Sequence, residues 1–185
     1  MARSQKQKAE SRQAIMRSAA KLFREKGFEG VTVAEVMDGA GLTHGGFPRH
    51  FSSKEELISA TLGELFAADA RAPSLPSDDL RAFVRAYLRP EHRRAPGSGC
   101  VFAALGPEMA RAPGTTREVL TEAIERQIDT FTSIAGDADA EKRRVTAIGT
   151  WATMIGAMVL ARIVNSEALS DEILASARDF LEIDG

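Results

Sequence analysis

Few side chains in this 185-residue sequence could carry chemistry on their own: three histidines, His44, His50 and His92, and one cysteine, Cys100. The histidines stand at no spacing used by metal ligands, Cys100 has no near-sequence partner, and no glycine-rich loop follows a strand to cradle a phosphate. The expectation is a protein that is not an enzyme and that needs no metal and no cofactor. A lone cysteine also forbids an internal disulfide. Two readings of it stay open: a buried small hydrophobe, or an oxidant- or electrophile-sensitive thiol following the flexible Gly97-Ser98-Gly99.

A second chemistry-bearing pattern occupies residues 32–57. Thr32 followed by Glu35 is a capping box, Val33, Val36, Met37 and Ala40 form an apolar stripe, Gly41 breaks the helix, and Thr43 stands where a short third helix would be capped. Two short helices joined by a tight glycine-containing turn, with small residues at the crossing, describe a helix-turn-helix whose second helix enters the major groove of DNA. Gly45 and Gly46 weaken that helix by about 1 kcal/mol each relative to alanine, yet leave room for close approach to the sugar-phosphate backbone and bases.

The elements that must position these residues read as helices throughout. Ile15, Ala19, Leu22 and Phe23 mark a helix over about 8–27 ending at Gly27. Further helices are expected over about 32–40, 43–50, 53–70 (capped by Ser52 or Ser53, with Glu55 or Glu56 reaching back) and from Leu80 to a stop at Pro90. Residues 72–77 and 93–99 read as loops. A helix through Val101–Arg111 is expected to kink or break at Gly106-Pro107. Three more span about 115–135, about 139–165 and a last stretch capped by Ser170. The fold class is therefore all-α, about nine helices, with residues 1–53 as a head and 54–185 as a second domain.

With 44% hydrophobic and 27% charged residues, the composition is that of an ordinary globular protein. Charge is divided unevenly: residues 1–53 carry nine Lys/Arg against five Asp/Glu, a balance of +4, while the remainder balances at −6. A basic head on an acidic body suits a chain that offers one end to a polyanion. The polar, basic N-terminus with no apolar segment behind it predicts no signal peptide and no membrane association, hence a cytoplasmic protein.

The run Ala40-Gly41-Leu42-Thr43, then Gly45, then His50-Phe51-Ser52-Ser53-Lys54-Glu55-Glu56-Leu57, together with Ala19-Ala20-Lys21-Leu22-Phe23 and Gly27-Phe28, resembles the N-terminal signature of the TetR family of bacterial transcriptional regulators. Gly99–Glu108 resembles a segment found in one branch of that family. The resemblance implies a homodimeric repressor whose heads bind palindromic double-stranded operator DNA. A small effector of unstated identity, bound in the C-terminal domain, would release it.

Position by position, the resemblance places Thr43, His44, Gly45, Gly46, Arg49 and His50 on the recognition helix, Lys54 against a phosphate, and Thr32 with its neighbouring amides against another. His44, Thr43 and Arg49 are the candidates for base edges. His50 and Phe51 are also read as partial core. The family usually has tyrosine where Pro48 stands; a proline there removes a donor and is expected to make the helix start later, kink or end early unless it falls in a shifted first turn. Hence a second reading: a helical small-molecule- or partner-binding protein with impaired operator binding. The effector site is expected among Phe66, Phe83, Tyr87, Cys100, Phe102, Met109, Phe131, Trp151, Met154 and Met158. The dimer interface is expected on the last two helices, from Ile148, Ala152, Ile155, Gly156, Val159, Ile163, Ile173, Leu174, Ala177, Phe180 and Leu181.

Overall fold

The computed structural model describes residues 2–71, 79–112, 114–136 and 139–183; every regular element among them is a helix. Helix α1 spans Ala2–Lys26 and buries one face through Ile15, Ala19 and Phe23. It starts ahead of its apolar stripe and ends at Gly27, whose φ of 76° is the left-handed conformation that terminates helices; the Gly27 amide closes on the Phe23 carbonyl at 2.8 Å. Helix α2 (Val33–Gly39) carries the full capping box between Thr32 and Glu35.

The third element is a 3-10 helix, His44–Arg49, rather than an α-helix, and Thr43 occupies its cap position without a side-chain bond. Pro48 accounts for the tighter winding. It has no N–H to donate, and its ring disfavours the α conformation at Phe47. Helix α3 (Lys54–Arg71) begins as its sequence suggests, with Ser53 Oγ accepting from the Glu56 amide at 3.2 Å and the Glu56 carboxylate accepting from the Ser52 amide at 2.7 Å.

The loop read at 72–77 lies outside the described residues. Helix α4 (Leu80–Tyr87) is capped by Asp79. Residues 90–98, read as a helix stop and a flexible loop, instead form helix α5 (Pro90–Arg94) and a 3-10 turn (Pro96–Ser98). Pro90 sits at the first helical position, where its missing N–H costs nothing. Helix α6 (Val101–Met109) runs on through Pro107, so of the expected kink or break the break does not occur. Helices α7 (Gly114–Ile134), α8 (Ala140–Ile163) and α9 (Glu167–Ile183) follow. Ser170 does not cap α9. It lies inside the helix, buried, and its hydroxyl donates to the Ala161 carbonyl at 2.6 Å, pinning α9 to α8.

Two apolar clusters organise the chain. One joins α1, α2, the 3-10 helix and α3 to α6 and α7 around Phe23, Phe51, Leu57 and Leu105. The other joins α4, α7, α8 and α9 around Leu88, Phe131, Met154, Met158 and Leu174. Helix α8 has the length and hydropathy of a bilayer span, but Ala147, Trp151, Met154, Ala157, Met158 and Ala161 are buried inside the protein, as in a core helix. Its remaining face shows Val145, Ile148, Leu160 and Ile163, each 42–71% exposed.

Candidate nucleic-acid interface and ligand cavity

At the head, Phe47 and Phe51 stack at 5.8 Å and anchor the 3-10 helix in the core. That fixes which side of it faces out. Thr43, His44, Gly45, Pro48 and Arg49 are exposed, Gly46 and His50 partly so. Arg12 of α1 stacks over the Phe51 ring at 3.9 Å, donates to the His50 carbonyl and lies 3.6 Å from Glu56. One guanidinium thus holds the end of the 3-10 helix against α1. A groove of about 750 Å³ separates the two elements, bordered by Lys8, Thr43, Gly46, Arg49 and His50. Burial, then Lys8, Arg12 and Arg49, push the His50 pKa down, so it stays neutral in this basic setting.

Gly45 has nothing within 4 Å of where a Cβ would stand, and Gly46 only ordinary contact with Met37 at 3.6 Å. Neither has a positive φ. The fold therefore demands glycine at neither position, and at exposed Gly45 the space is open.

Thr32 caps α2 as its sequence predicts, and its own donors are engaged there. Its amide and hydroxyl both donate to the Glu35 carboxylate, at 2.8 and 2.9 Å, and Glu35 also pairs with Lys26 at 2.7 Å. The Lys26 bond and those from Thr32 hold Glu35 ionised, with its pKa lowered to about 2. A phosphate at Thr32 would meet that charge. Lys54 stands half-buried at the start of α3.

A second concavity, of about 400 Å³, opens in the body. Six of the ten expected effector residues line it: Phe83, Tyr87, Cys100, Phe102, Phe131 and Trp151. Their rings meet edge to face, with Phe102–Trp151 at 5.0 Å and Phe83–Phe131 at 5.2 Å. The other four are core: Phe66 tilts against the far side of Phe102 at 5.4 Å, Met109 lies in the head-side cluster, and Met154 and Met158 are fully buried. Periodicity marks a residue as inward-facing but not which interior it faces.

Sequence reasoning missed His92, Arg24, Gln127 and Ser98 on the cavity wall. His92 Nε2 accepts from the Cys100 amide at 3.1 Å, so its Nδ1 carries the proton and donates to the Tyr87 carbonyl at 2.8 Å. Burial pushes the His92 pKa down, consistent with that neutral ring tying α4 to the start of α6. Cys100 is partly exposed. Arg162 Nη1 is buried without a hydrogen-bond partner, and the buried Tyr87 hydroxyl has only the Cys100 thiol beside it.

The 3-10 turn Pro96–Ser98 forms part of this wall and also grips the head. Arg24 Nε donates to the Gly97 carbonyl at 2.9 Å, and Gly97 is packed so closely that a Cβ would stand 2.4 Å from the Glu25 carboxylate. Ten residues on, the Glu108 carboxylate accepts from the Phe28 amide at 2.8 Å, just past the end of α1. From the other side, Arg93 reaches Asp171 at 2.9 Å and Arg162 Nη2 reaches the His92 carbonyl at 3.0 Å.

On the α8–α9 face, Ile148, Ala152, Gly156, Ile163 and Phe180 are exposed as a dimer surface requires. Ile155, Val159, Ile173, Ala177 and Leu181 pack partly against their own core, and Leu174 is entirely core. Val145, Leu160 and Leu169 extend the exposed stripe and were not anticipated.

Residues 15–61 match the model of a family described as bacterial regulatory proteins, tetR family. Residues 76–177 match one described as tetracyclin repressor-like, C-terminal domain. Among curated relatives, an uncharacterized HTH-type transcriptional regulator of Mycobacterium bovis is 23% identical over 175 residues, 90% of this chain and 92% of that protein. The HTH-type transcriptional repressor KstR2 of Mycobacterium tuberculosis is 40% identical over 48 residues, 26% of this chain and 24% of that repressor. Among solved structures, E. coli NemR in its reduced form superposes with a TM-score of 0.71 at 20% identity, over 93% of this chain and 95% of that one. A TetR transcriptional regulator from Chloroflexus aurantiacus gives 0.71 at 24% identity, over 96% of each chain.

Proposed function

Because the chain belongs to the TetR family of bacterial regulatory proteins, we propose that it is a cytoplasmic, homodimeric repressor that binds operator DNA through residues 1–53 and releases it when a small effector occupies the cavity in residues 54–185. The observation that carries this reading is the open space at Gly45 beside exposed Thr43, His44 and Arg49, on a head whose formal charge is positive. Close approach to a phosphate backbone is what such clearance serves. Arg49, His44 and Thr43 would read base edges, and Lys54 would meet a phosphate. In place of Thr32, whose donors Glu35 already engages, Lys8 on the rim of the groove is the better phosphate partner.

Dimerisation through the exposed stripes of α8 and α9 would set two heads one DNA turn apart, about 34–36 Å. The turn at Pro96–Ser98 is wall to the cavity and anchor to α1. A ligand that shifts it would therefore bias head spacing, to the extent that it binds the released arrangement better. No enzymatic role is proposed, since the cavity's histidine has both ring nitrogens engaged by backbone groups.

One observation favours a second reading. The 3-10 winding stretches the six-residue reading element to about 12 Å, against about 9 Å for an α-helix, so operator affinity could be lost while ligand binding is kept. Anisotropy of duplexes from the region upstream of its own gene, across a salt series with unrelated DNA as competitor, separates the two. The repressor reading expects selective binding with a steep negative salt slope, and about tenfold weaker binding by Gly45→Ala at unchanged stability. Weak, unselective binding would favour the second reading.

A further inference from the structure

The cavity's own chemistry narrows what it can hold, on the reading that it is the effector site. Four rings, Phe83, Phe102, Phe131 and Trp151, supply its body, Phe102–Trp151 and Phe83–Phe131 packed edge to face and Phe131–Trp151 tilted, so the wall is aromatic. No aspartate or glutamate is among the described lining residues, whereas Arg24 is. At one end stands Tyr87, more than nine-tenths buried, whose hydroxyl has only the Cys100 thiol, a weak partner, beside it. Behind it, within electrostatic range of Tyr87 and Cys100, lies Arg162, whose Nη1 is without a partner.

Both of these are donors, and His92 and Ser98 do not serve them: the histidine is committed to the Tyr87 carbonyl and the Cys100 amide, and the serine to the Ala95 carbonyl. Burial pushes the Tyr87 pKa up, which keeps the phenol protonated and donating. What the end of the cavity lacks is an acceptor, and the charge around it selects an anionic one.

We propose that the cavity takes a planar aromatic carboxylate, its ring system against the aromatic wall and its carboxylate at the Tyr87 end. A cation would be repelled by Arg162, and a neutral alcohol could accept from Tyr87 but would bring a donor of its own to a place already rich in donors. A saturated acid of similar size would satisfy Tyr87 but forgo aromatic contacts with the ring wall.

Isothermal titration calorimetry of the full chain tests this with 2-naphthoate, 2-naphthalenemethanol, 2-naphthylmethylammonium and cyclohexanecarboxylate. Naphthoate is expected to bind at least tenfold more tightly than each of the others. Tyr87→Phe, which keeps the ring and its packing, is expected to weaken naphthoate about tenfold and to leave the alcohol within twofold. Trp151→Leu, unlike Tyr87→Phe, is expected to weaken both.

Equal or tighter binding of the alcohol or the ammonium, or a Tyr87→Phe variant with wild-type selectivity, would overturn the proposed ligand class while leaving the cavity as an effector site. Failure of all four compounds to bind, with the wild-type protein folded by circular dichroism, would overturn the ligand class and count against the effector site itself.

Discussion

In the head, every side chain proposed to face DNA except Lys8 comes from one short run, Thr43 to Lys54, and local rules place them: a cap, a glycine break, a proline, a second cap. In the body, the cavity draws its walls from α1, α3, α4, α5, α6, α7 and α8, residues from Arg24 to Trp151 that only the tertiary fold brings together. The reading element is exposed on its outer side and anchored on its inner side by Phe47, Phe51 and the Arg12 guanidinium; the cavity is aromatic and half-enclosed, with donors left unpaired at one end. A surface that meets an invariant polyanion can be written locally, whereas a cavity that must fit one molecule is assembled from distant parts and can change without disturbing the head. The two meet where the head-side apolar cluster continues into α6 and α7, and Arg24 on Gly97 and Glu108 on Phe28 are hydrogen bonds across that junction.

The largest effect should come from striking the head at its anchor. Phe51→Ala removes a ring that is 1% exposed, its stack on Phe47 and the seat of Arg12. A loss of about 3–5 kcal/mol in urea unfolding is expected, with operator binding abolished. A cost below about 1 kcal/mol would show that the head does not depend on this ring.

The junction comes next. Glu108→Ala leaves the Phe28 amide without its acceptor, which should cost about 1–2 kcal/mol. Because Glu108 does not line the cavity, ligand affinity should stay within twofold while operator release at saturating ligand becomes incomplete. Unimpaired release would mean that coupling runs by another route.

A smaller effect of opposite sign is expected at the cavity's donor end. Tyr87→Phe removes a buried hydroxyl that has only the weak Cys100 thiol beside it, and the ligand-free protein should gain about 0.5–1 kcal/mol, read as a higher urea midpoint. A loss of stability would show that the hydroxyl is satisfied in solution.

The smallest effect is a pH dependence. Burial lowers the His92 pKa in the folded protein, so its contribution is intact above the ordinary histidine value near 6.5 and declines as pH falls below it, where the unfolded chain takes up the proton more readily. His50 acts with the same sign in the head. The melting temperature should drift down from pH 7.5 to 5.5, and His92→Gln should flatten that slope only in part. An unchanged slope would place the titration in the head alone.

The contrast between the regions also governs what was legible in the sequence. The capping boxes, the Gly27 terminus and the family motif are short-range signals, and the structure reproduces them at Thr32, Gly27 and Ser53. Pro48 signalled trouble in the third helix but not its form, because proline excludes the α path without specifying what replaces it. Residues 90–98 were misread for a related reason. Proline and glycine there look like breakers, yet Pro90 opens a helix, and Gly97 is buried because Arg24 and Glu25 close over it from α1. His92 had no local signal at all. Its partners, the Tyr87 carbonyl and the Cys100 amide, are backbone groups that any sequence possesses. Met154 and Met158 were rightly read as inward, but the interior they face is solid core.

The most direct test joins the two regions in one titration. A labelled upstream duplex bound by the wild-type protein is titrated with 2-naphthoate while anisotropy is followed, and the midpoint is compared with the calorimetric dissociation constant of the same ligand. A cavity coupled to the head predicts that the duplex is released over the concentration range in which the cavity fills, and that Trp151→Leu moves both midpoints together. Saturation of the cavity with the duplex still bound would contradict it.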